Sequence, residues 1–133
     1  MDFVFADDAR QPNPTRPGMG PLVAIGGVHV PRAIAGPLEK KLDTLCYEFS
    51  FPAGEPFKWS PGRKLWMRKK LVGANRVAFM NAVLMEAKSH SVTALVVLED
   101  TLRNRATDAE MPEEDVTRLF LERIQMGSVR SQG

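Results

Sequence analysis

Two pairs of neighbouring acidic residues are the features of this sequence best suited to chemistry. Asp7 and Asp8 directly follow an aromatic and β-branched run that predicts a short strand. Glu99 and Asp100 follow a second run of the same kind. Carboxylates at strand ends stand on a rigid support, near the sheet edge where α/β proteins usually bind ligands. If the two strands are neighbours, the pairs would supply oxygen ligands for Mg²⁺, and two such ions could activate water and stabilise a leaving oxygen.

Within the first pair, Asp7 is the candidate metal ligand. Successive strand residues face opposite sides, so Asp7 and Asp8 enter one pocket only if the strand ends between them. Asp8 is therefore assigned to the surface or to a supporting position. The competing interpretation is that these acids only solvate a strand end or cap a turn, and that Glu99 and Asp100 are acids of a loop or of a helix entry.

The segment from Glu55 to Gly62 is a Pro- and Gly-containing loop of unusual composition. Glu55 could complete a carboxylate set, Lys58 could contact a phosphate, and Trp59 could stack on a nucleic-acid base. The alternative for Trp59 is a hydrophobic plug that anchors the loop. Trp66 is predicted to belong to the core.

Basic and acidic residues are unevenly distributed along the chain. From Pro56 to Leu98 there are eight basic residues and one acidic residue, Glu86, whereas eight acidic residues lie between Glu99 and Glu122. Such asymmetry can mark a surface that binds a polyanion, although a solvated helix face produces the same pattern. The candidate nucleic-acid contacts are Lys58, Arg63, Lys64, Arg68, Lys69 and Lys70.

Several classes of protein are disfavoured by what the sequence lacks. Cys46 is the only cysteine, which rules out an internal disulfide and a CxxC-type zinc site and fits a reducing cytoplasm. His29 and His90 lack metal-ligand spacing and are interpreted as structural. The chain has no P-loop, GxGxxG or GxSxG pattern. The most apolar run, residues 94–98, is too short to cross a bilayer, and the N-terminus does not read as a signal peptide.

The predicted elements form an α/β protein with a mixed sheet flanked by helices. Hydrophobic periodicity and turn residues place strands at 2–6, 22–30 and 92–98 and helices at 31–49, 63–89 and 112–126. The glycine pair within the second strand suggests a bulge or a close approach of another group. Each predicted helix has an apolar stripe, and a break in the helix over 63–89 is suspected near Gly73. The stripes consist of Leu38, Leu42, Leu45, Cys46 and Phe49 in the first helix, Val77, Met80, Leu84 and Ala87 in the second, and Val116, Leu119, Phe120 and Ile124 in the third. Residues 1–126 are assigned to one domain and residues 127–133 to a flexible tail.

The ordered set of motifs resembles the domain of unknown function family 3800. The opening Phe5–Ala9 resembles that family's Asp-Glu-Ser start, residues 22–28 resemble its second strand, and Glu55-x-x-Lys58-Trp59-Ser60 resembles its Glu-x-Lys-Trp-Ser segment. The resemblance covers about residues 1–125. It implies a ribonuclease H-like fold and a Mg²⁺- or Mn²⁺-dependent nuclease in which Asp7, Glu55 and Asp100 hold metal. Asp8 stands where the family has Glu, and Ala9 replaces its Ser.

One departure from the family pattern follows the last predicted helix. Members of the family continue into a further strand bearing an Asp and then another helix, whereas this sequence runs into residues 127–133. We therefore expect an incomplete ribonuclease H-like domain of low stability, or one covered by a partner chain or by a second copy of itself. Two functions stay open at this point. One is a metal-dependent nuclease acting on a nucleic-acid phosphodiester, and the other is a non-catalytic module that binds nucleic acid or protein.

Overall fold

The computed structural model describes residues 1–102 and 111–130, with backbone only for residues 128–130. Its elements in chain order are β1 (Phe3–Gln11), β2 (Leu22–Val30), α1 (Arg32–Glu48), α2 (Trp66–Lys70), α3 (Gly73–Ser89), β3 (Thr93–Asp100) and α4 (Pro112–Arg130). The α/β class is confirmed, but the three described strands form an antiparallel sheet in the order β1-β2-β3 rather than the predicted mixed sheet. The chain divides into two compact units, a helical unit (Met1–Phe3 with Val30–Val92) and a sheet unit (Val4–His29 with Thr93–Gly133).

The helical unit is organised around a small, fully buried core. Met67 and Phe79 are completely buried, and Leu71 and Met80 complete the cluster. Met67 and Leu71 lie four residues apart, so one side of α2 and of the residue that ends it faces inward, while α3 contributes the neighbouring residues Phe79 and Met80. The predicted apolar face of α1 is confirmed, because Leu38 is buried and the residues that follow it at helical spacing are half-buried.

The two long helices of the helical unit, α1 and α3, are each followed two residues later by a serine in the left-handed conformation. Ser50 has φ of 62° and Ser91 has φ of 56°. In each case the next residue donates a hydrogen bond to a carbonyl five residues back, Phe51 to Cys46 and Val92 to Ala87, both within 3.0 Å. This is the Schellman arrangement, which normally uses glycine at the left-handed position. Both ends lack the glycine signal that helps to locate a helix end in a sequence.

The sheet unit packs α4 against one face of the sheet. The β2–β3 register pairs Gly27 with Leu95, Ile25 with Val97 and Val23 with Glu99. Residues opposite each other in an antiparallel pair share a face, and alternate residues share it too. The Phe120 ring of α4 lies against the Gly27 backbone, so these three pairs form the face that α4 covers. Val116 and Phe120 are each 2% exposed, which confirms the predicted apolar side of α4.

Several predicted boundaries differ from the structure. β1 continues through the two aspartates to Gln11, and β3 includes both Glu99 and Asp100. The helical region over 63–89 is split between α2 and α3, close to the glycine where a break was suspected. α4 continues to Arg130 and so takes in the first four residues of the predicted tail, while residues 131–133 lie outside the described residues.

The predicted stripe of α3 is only partly correct. Val77 is 60% exposed and Leu84 is 54% exposed, whereas Phe79 and Met80 are buried. The helix carries apolar residues around much of its circumference, so periodicity alone does not select the buried side. Phe79 is buried because its aromatic ring fills the space beside α1 and α2.

Apolar side chains are exposed on the sheet face opposite α4. Val96 is 67% exposed and Leu98 is 59% exposed, and all nine residues of β1 are exposed. Exposed apolar surface beside an uncovered strand edge is a site where another chain can pair. The prediction of a partner chain or second copy stays a prediction. Among the described residues, no helix combines the length and hydropathy needed to cross a membrane.

Gly27 lies where the sheet unit has no room for a side chain. A Cβ atom there would lie 2.5 Å from Phe120 Cζ and 2.8 Å from the Phe5 carbonyl oxygen, whereas at Gly26 the nearest atom would be 3.6 Å away. We expect Gly27→Ala to lower the free energy of unfolding by about 1–3 kcal/mol, because the buried Phe120 ring must move.

Gly26→Ala is the matched control for this prediction. The methyl group fits there and restricts the unfolded chain, so we expect a change within about 1 kcal/mol. Urea denaturation followed by circular dichroism measures both variants. Equal loss of stability in the two would contradict the packing of Phe120 on Gly27.

Candidate nucleic-acid interface

The first acidic pair does not lie at a strand end. Asp7 and Asp8 are both exposed in the interior of β1, and they point to opposite faces because strand residues alternate. The Asp8 N–H donates a hydrogen bond of 3.0 Å to Asp7 Oδ1. The strand-end premise is therefore wrong for Asp7, and its role as a metal ligand stays a prediction.

Asp100 ends β3 and organises the neighbouring backbone. The Gly20 N–H donates to Asp100 Oδ2 at 3.2 Å, and the Leu102 N–H donates to Asp100 Oδ1 at 3.0 Å. Both carboxylate oxygens therefore accept main-chain hydrogen bonds. Glu99 lies on the face that α4 covers and is 7% exposed. Asp100 therefore caps the turn that follows β3, which is closer to the alternative of a loop acid than to an open ligand site.

Glu55 has a structural contact in the helical unit. Its Oε1 atom accepts a hydrogen bond of 2.7 Å from the Trp66 N–H, which is the first amide of α2. First-turn amides have no partner within their own helix, so a carboxylate from the preceding loop satisfies one of them. Glu55 is in the helical unit, whereas Asp7 and Asp100 are in the sheet unit. Within residues 1–102 and 111–130, no group of three or more acidic, histidine or cysteine side chains is placed to hold a metal ion.

The six predicted nucleic-acid contacts all lie within residues 58–70 of the helical unit. We call Lys58, Arg63, Lys64, Arg68, Lys69 and Lys70 the basic segment. All six are exposed, and none of them forms a salt bridge in the part of the chain that the structure describes. The sequence between Glu55 and Glu86 contains no acidic residue. Their charge is therefore available to an external anion.

α2 explains why three of these cations are exposed together. Met67 and Leu71 are buried one helical turn apart, so the residues between them, Arg68, Lys69 and Lys70, are directed outward. The cations also occupy the last turn of α2, where positive charge interacts favourably with the helix dipole. The same short helix thus both anchors the segment and displays its charge.

Trp59 is 67% exposed, so its interpretation as a plug is wrong. The anchoring role belongs to two other aromatic residues. Phe57 packs edge-on against Phe79 with ring centroids 5.7 Å apart, and Trp66 lies 4.8 Å from the Phe51 ring. The prediction that Trp66 belongs to the core is confirmed, since it packs against the buried cluster.

The backbone around Trp59 is held in place at consecutive residues. The Lys58 N–H donates to the Met67 sulfur at 3.1 Å, and Arg76 Nη2 donates to the Trp59 carbonyl oxygen at 2.9 Å. Pro61 is buried two residues later. The loop therefore presents the Trp59 indole from a fixed main chain.

Sequence reasoning missed the supporting roles of Arg76 and Met67. Arg76 looked like another surface cation, and nothing in the sequence connects it to a carbonyl 17 residues earlier. Met67 did carry a signal, because an apolar pair four residues apart brackets a run of three cations. Such a pair predicts one buried helix face.

The remaining reactive side chains have structural environments. His90 Nδ1 lies 2.8 Å from the Glu86 carbonyl at the end of α3, which agrees with a structural assignment. Cys46 is half-buried, and burial, followed by the nearby charge of Asp43, raises the pKa of its thiol. A raised pKa leaves less thiolate at neutral pH, so Cys46 is a poor nucleophile, as its apolar position predicted.

Comparison of the chain with models of protein families, with curated proteins and with solved structures found no match.

The contact of Glu55 with α2 can be separated from a ligand role by two substitutions. Glu55→Gln keeps an oxygen that can accept the Trp66 N–H bond, whereas Glu55→Ala removes it. We expect the Ala variant to lower the free energy of unfolding by about 1 kcal/mol and the Gln variant to lose less than half of that. Urea denaturation measures both. A Gln variant as unstable as the Ala variant would contradict the capping role.

Proposed function

We propose that this protein binds nucleic acid through the basic segment of its helical unit. The observation that carries the proposal is a group of six exposed cations, on a loop and a short helix with no acidic residue among them, that form no salt bridge within the described residues. Cations in a folded protein commonly pair with acidic neighbours when these are available. In this chain the acidic residues lie outside the basic segment.

The distribution of charge between the two units supports a polyanionic ligand. The helical unit contains eleven basic and six acidic residues, whereas the sheet unit contains seven basic and ten acidic residues. Positive charge therefore predominates in the helical unit and negative charge in the sheet unit. A phosphate backbone would be attracted to the helical unit, because binding there releases condensed counterions.

Arginine and lysine both occur in the basic segment. Arg63 and Arg68 can contact a phosphate with two parallel hydrogen bonds, whereas the lysines act as point charges on flexible stems. Contacts of this kind position a nucleic acid but do not read its sequence. The proposed binding is therefore non-sequence-specific and strongly salt-dependent.

The binding proposal is tested by neutralising the three cations of α2. Replacing Arg68, Lys69 and Lys70 by Gln keeps helix propensity and removes three charges. We expect affinity for an oligonucleotide to fall about 10²- to 10³-fold at 50 mM salt. The slope of log affinity against log salt should fall by about 2 to 3. Fluorescence anisotropy with a labelled oligonucleotide measures both quantities.

The matched control replaces Lys40, Lys41 and Lys88 by Gln in the same unit. These three lysines are also exposed, and the change in net charge is identical. We expect this control to lose less than tenfold in affinity, because only the general attraction is reduced. Equal losses in the two triple variants would show that net charge, rather than the basic segment, governs binding.

We also propose that the α/β architecture is ribonuclease H-like, and that metal-dependent cleavage accompanies binding. The antiparallel sheet supports an α/β class, and the sheet unit contains both Asp7 and Asp100. The described donors do not fit a preformed Mg²⁺ or Mn²⁺ centre, since the Asp100 oxygens accept backbone hydrogen bonds and Glu55 caps α2.

Cleavage is tested with Mg²⁺ or Mn²⁺ on single-stranded and duplex substrates. We expect Asp7→Asn to abolish cleavage while affinity stays within about twofold, because Asp7 lies outside the basic segment. Asp8→Asn is the control, since it removes the same charge from the opposite face of β1. If the unaltered protein cuts neither substrate, the cleavage proposal fails while the binding proposal stands.

A further inference from the structure

We infer that the ligand of the basic segment is single-stranded nucleic acid, and that the Trp59 indole stacks on one of its bases. The inference rests on the proposed function and adds the class of nucleic acid that it serves. Its carrying observation is an exposed, backbone-anchored indole, flanked along the chain by exposed cations that form no salt bridge with any described residue.

The exposure of Trp59 is unusual for its residue type. Tryptophan is highly buried on average, yet this side chain is 67% exposed. The other aromatic residues of the same region pack inward, with Trp66 on Phe51 and Phe57 on Phe79. Phe57 is 38% exposed and Trp66 is half-buried, so Trp59 is the most exposed aromatic side chain of residues 57–66.

The anchoring of the loop favours a contact by Trp59. The carbonyl of Trp59 is held by Arg76 and the preceding amide by the buried Met67 sulfur. A ring displayed from a fixed backbone loses little conformational entropy when it meets a flat ligand. A flexible loop with the same composition would bind more weakly. The two anchors thus prepare the indole for stacking.

The neighbouring charges identify the ligand that suits such a ring. Proteins that bind single strands combine a cationic groove for the backbone with aromatic side chains on which unstacked bases rest. Lys58 directly precedes Trp59, and Arg63 and Lys64 follow within five residues. Successive nucleotides of an extended strand could place a phosphate on each side of a stacked base. In a duplex the base faces are already occupied by neighbouring base pairs, so the indole has no free base face on which to stack.

The test compares a twelve-nucleotide oligothymidylate and oligouridylate with a twelve-base-pair duplex. We expect Trp59→Ala to weaken binding of the single strands about 5- to 150-fold, the range that corresponds to one stacked base. Binding of the duplex should stay within about twofold. Trp59→Phe should recover part of the loss, since a smaller ring still stacks. Circular dichroism should show an unchanged fold, because the side chain contributes nothing to the core.

A second readout comes from the fluorescence of Trp59 itself. The chain has two tryptophans, so Trp66→Phe leaves Trp59 as the only indole. We expect its emission to be quenched by the oligothymidylate and its access to acrylamide to fall. Trp59→Phe, which leaves only Trp66, should show little change on adding the same oligonucleotide.

The outcomes distinguish this inference from the proposed function. If Trp59→Ala binds single strands as tightly as the unaltered protein, stacking is overturned. The proposal that the basic segment binds nucleic acid still stands if its triple Gln variant loses affinity. If the unaltered protein prefers the duplex, the single-strand assignment is overturned in the same way. If neither nucleic acid binds at 50 mM salt, both proposals fail.

Discussion

The burial of Met67 is the constraint on which the rest of the candidate interface depends. Met67 is completely buried against Phe79, and its sulfur accepts a hydrogen bond from the Lys58 amide. This one side chain therefore fixes α2 and the preceding loop to the same core. With Met67 and Leu71 turned inward, the three cations between them have no position other than the surface. The charge of this surface is a direct consequence of how its support is packed.

Much of the architecture could be predicted from local pattern. The β2 limits and the buried side of α4 were predicted correctly, because continuous apolar runs and helical spacing are strong signals. The predicted end of β1 was wrong, because Asp7 and Asp8 have low strand propensity and therefore resemble the end of a strand. They remain in the strand because β1 pairs with β2 through its backbone, which does not depend on those side chains.

The candidate site was predictable only in part, for reasons that lie in tertiary contacts. The six cations were visible as a run of charge, and the structure places all of them on the surface. The acids looked equally promising, yet Glu55 caps α2 and Asp100 accepts two backbone amides. A carboxylate that accepts a hydrogen bond from a backbone amide cannot be distinguished from a metal ligand by residue type or by spacing. Trp59 illustrates the same limit, because composition does not reveal which aromatic residue of a loop the core accepts.

The central claim is that the basic segment and Trp59 are the surface that meets nucleic acid. A titration of the ¹⁵N-labelled protein with oligothymidylate, followed by amide and indole chemical shifts, tests it most directly. The account predicts the largest shifts for the amides of residues 58–70 and for the Trp59 Nε1–H signal. Shifts confined to residues of the sheet unit, or an unchanged Trp59 indole signal while other resonances move, would contradict it.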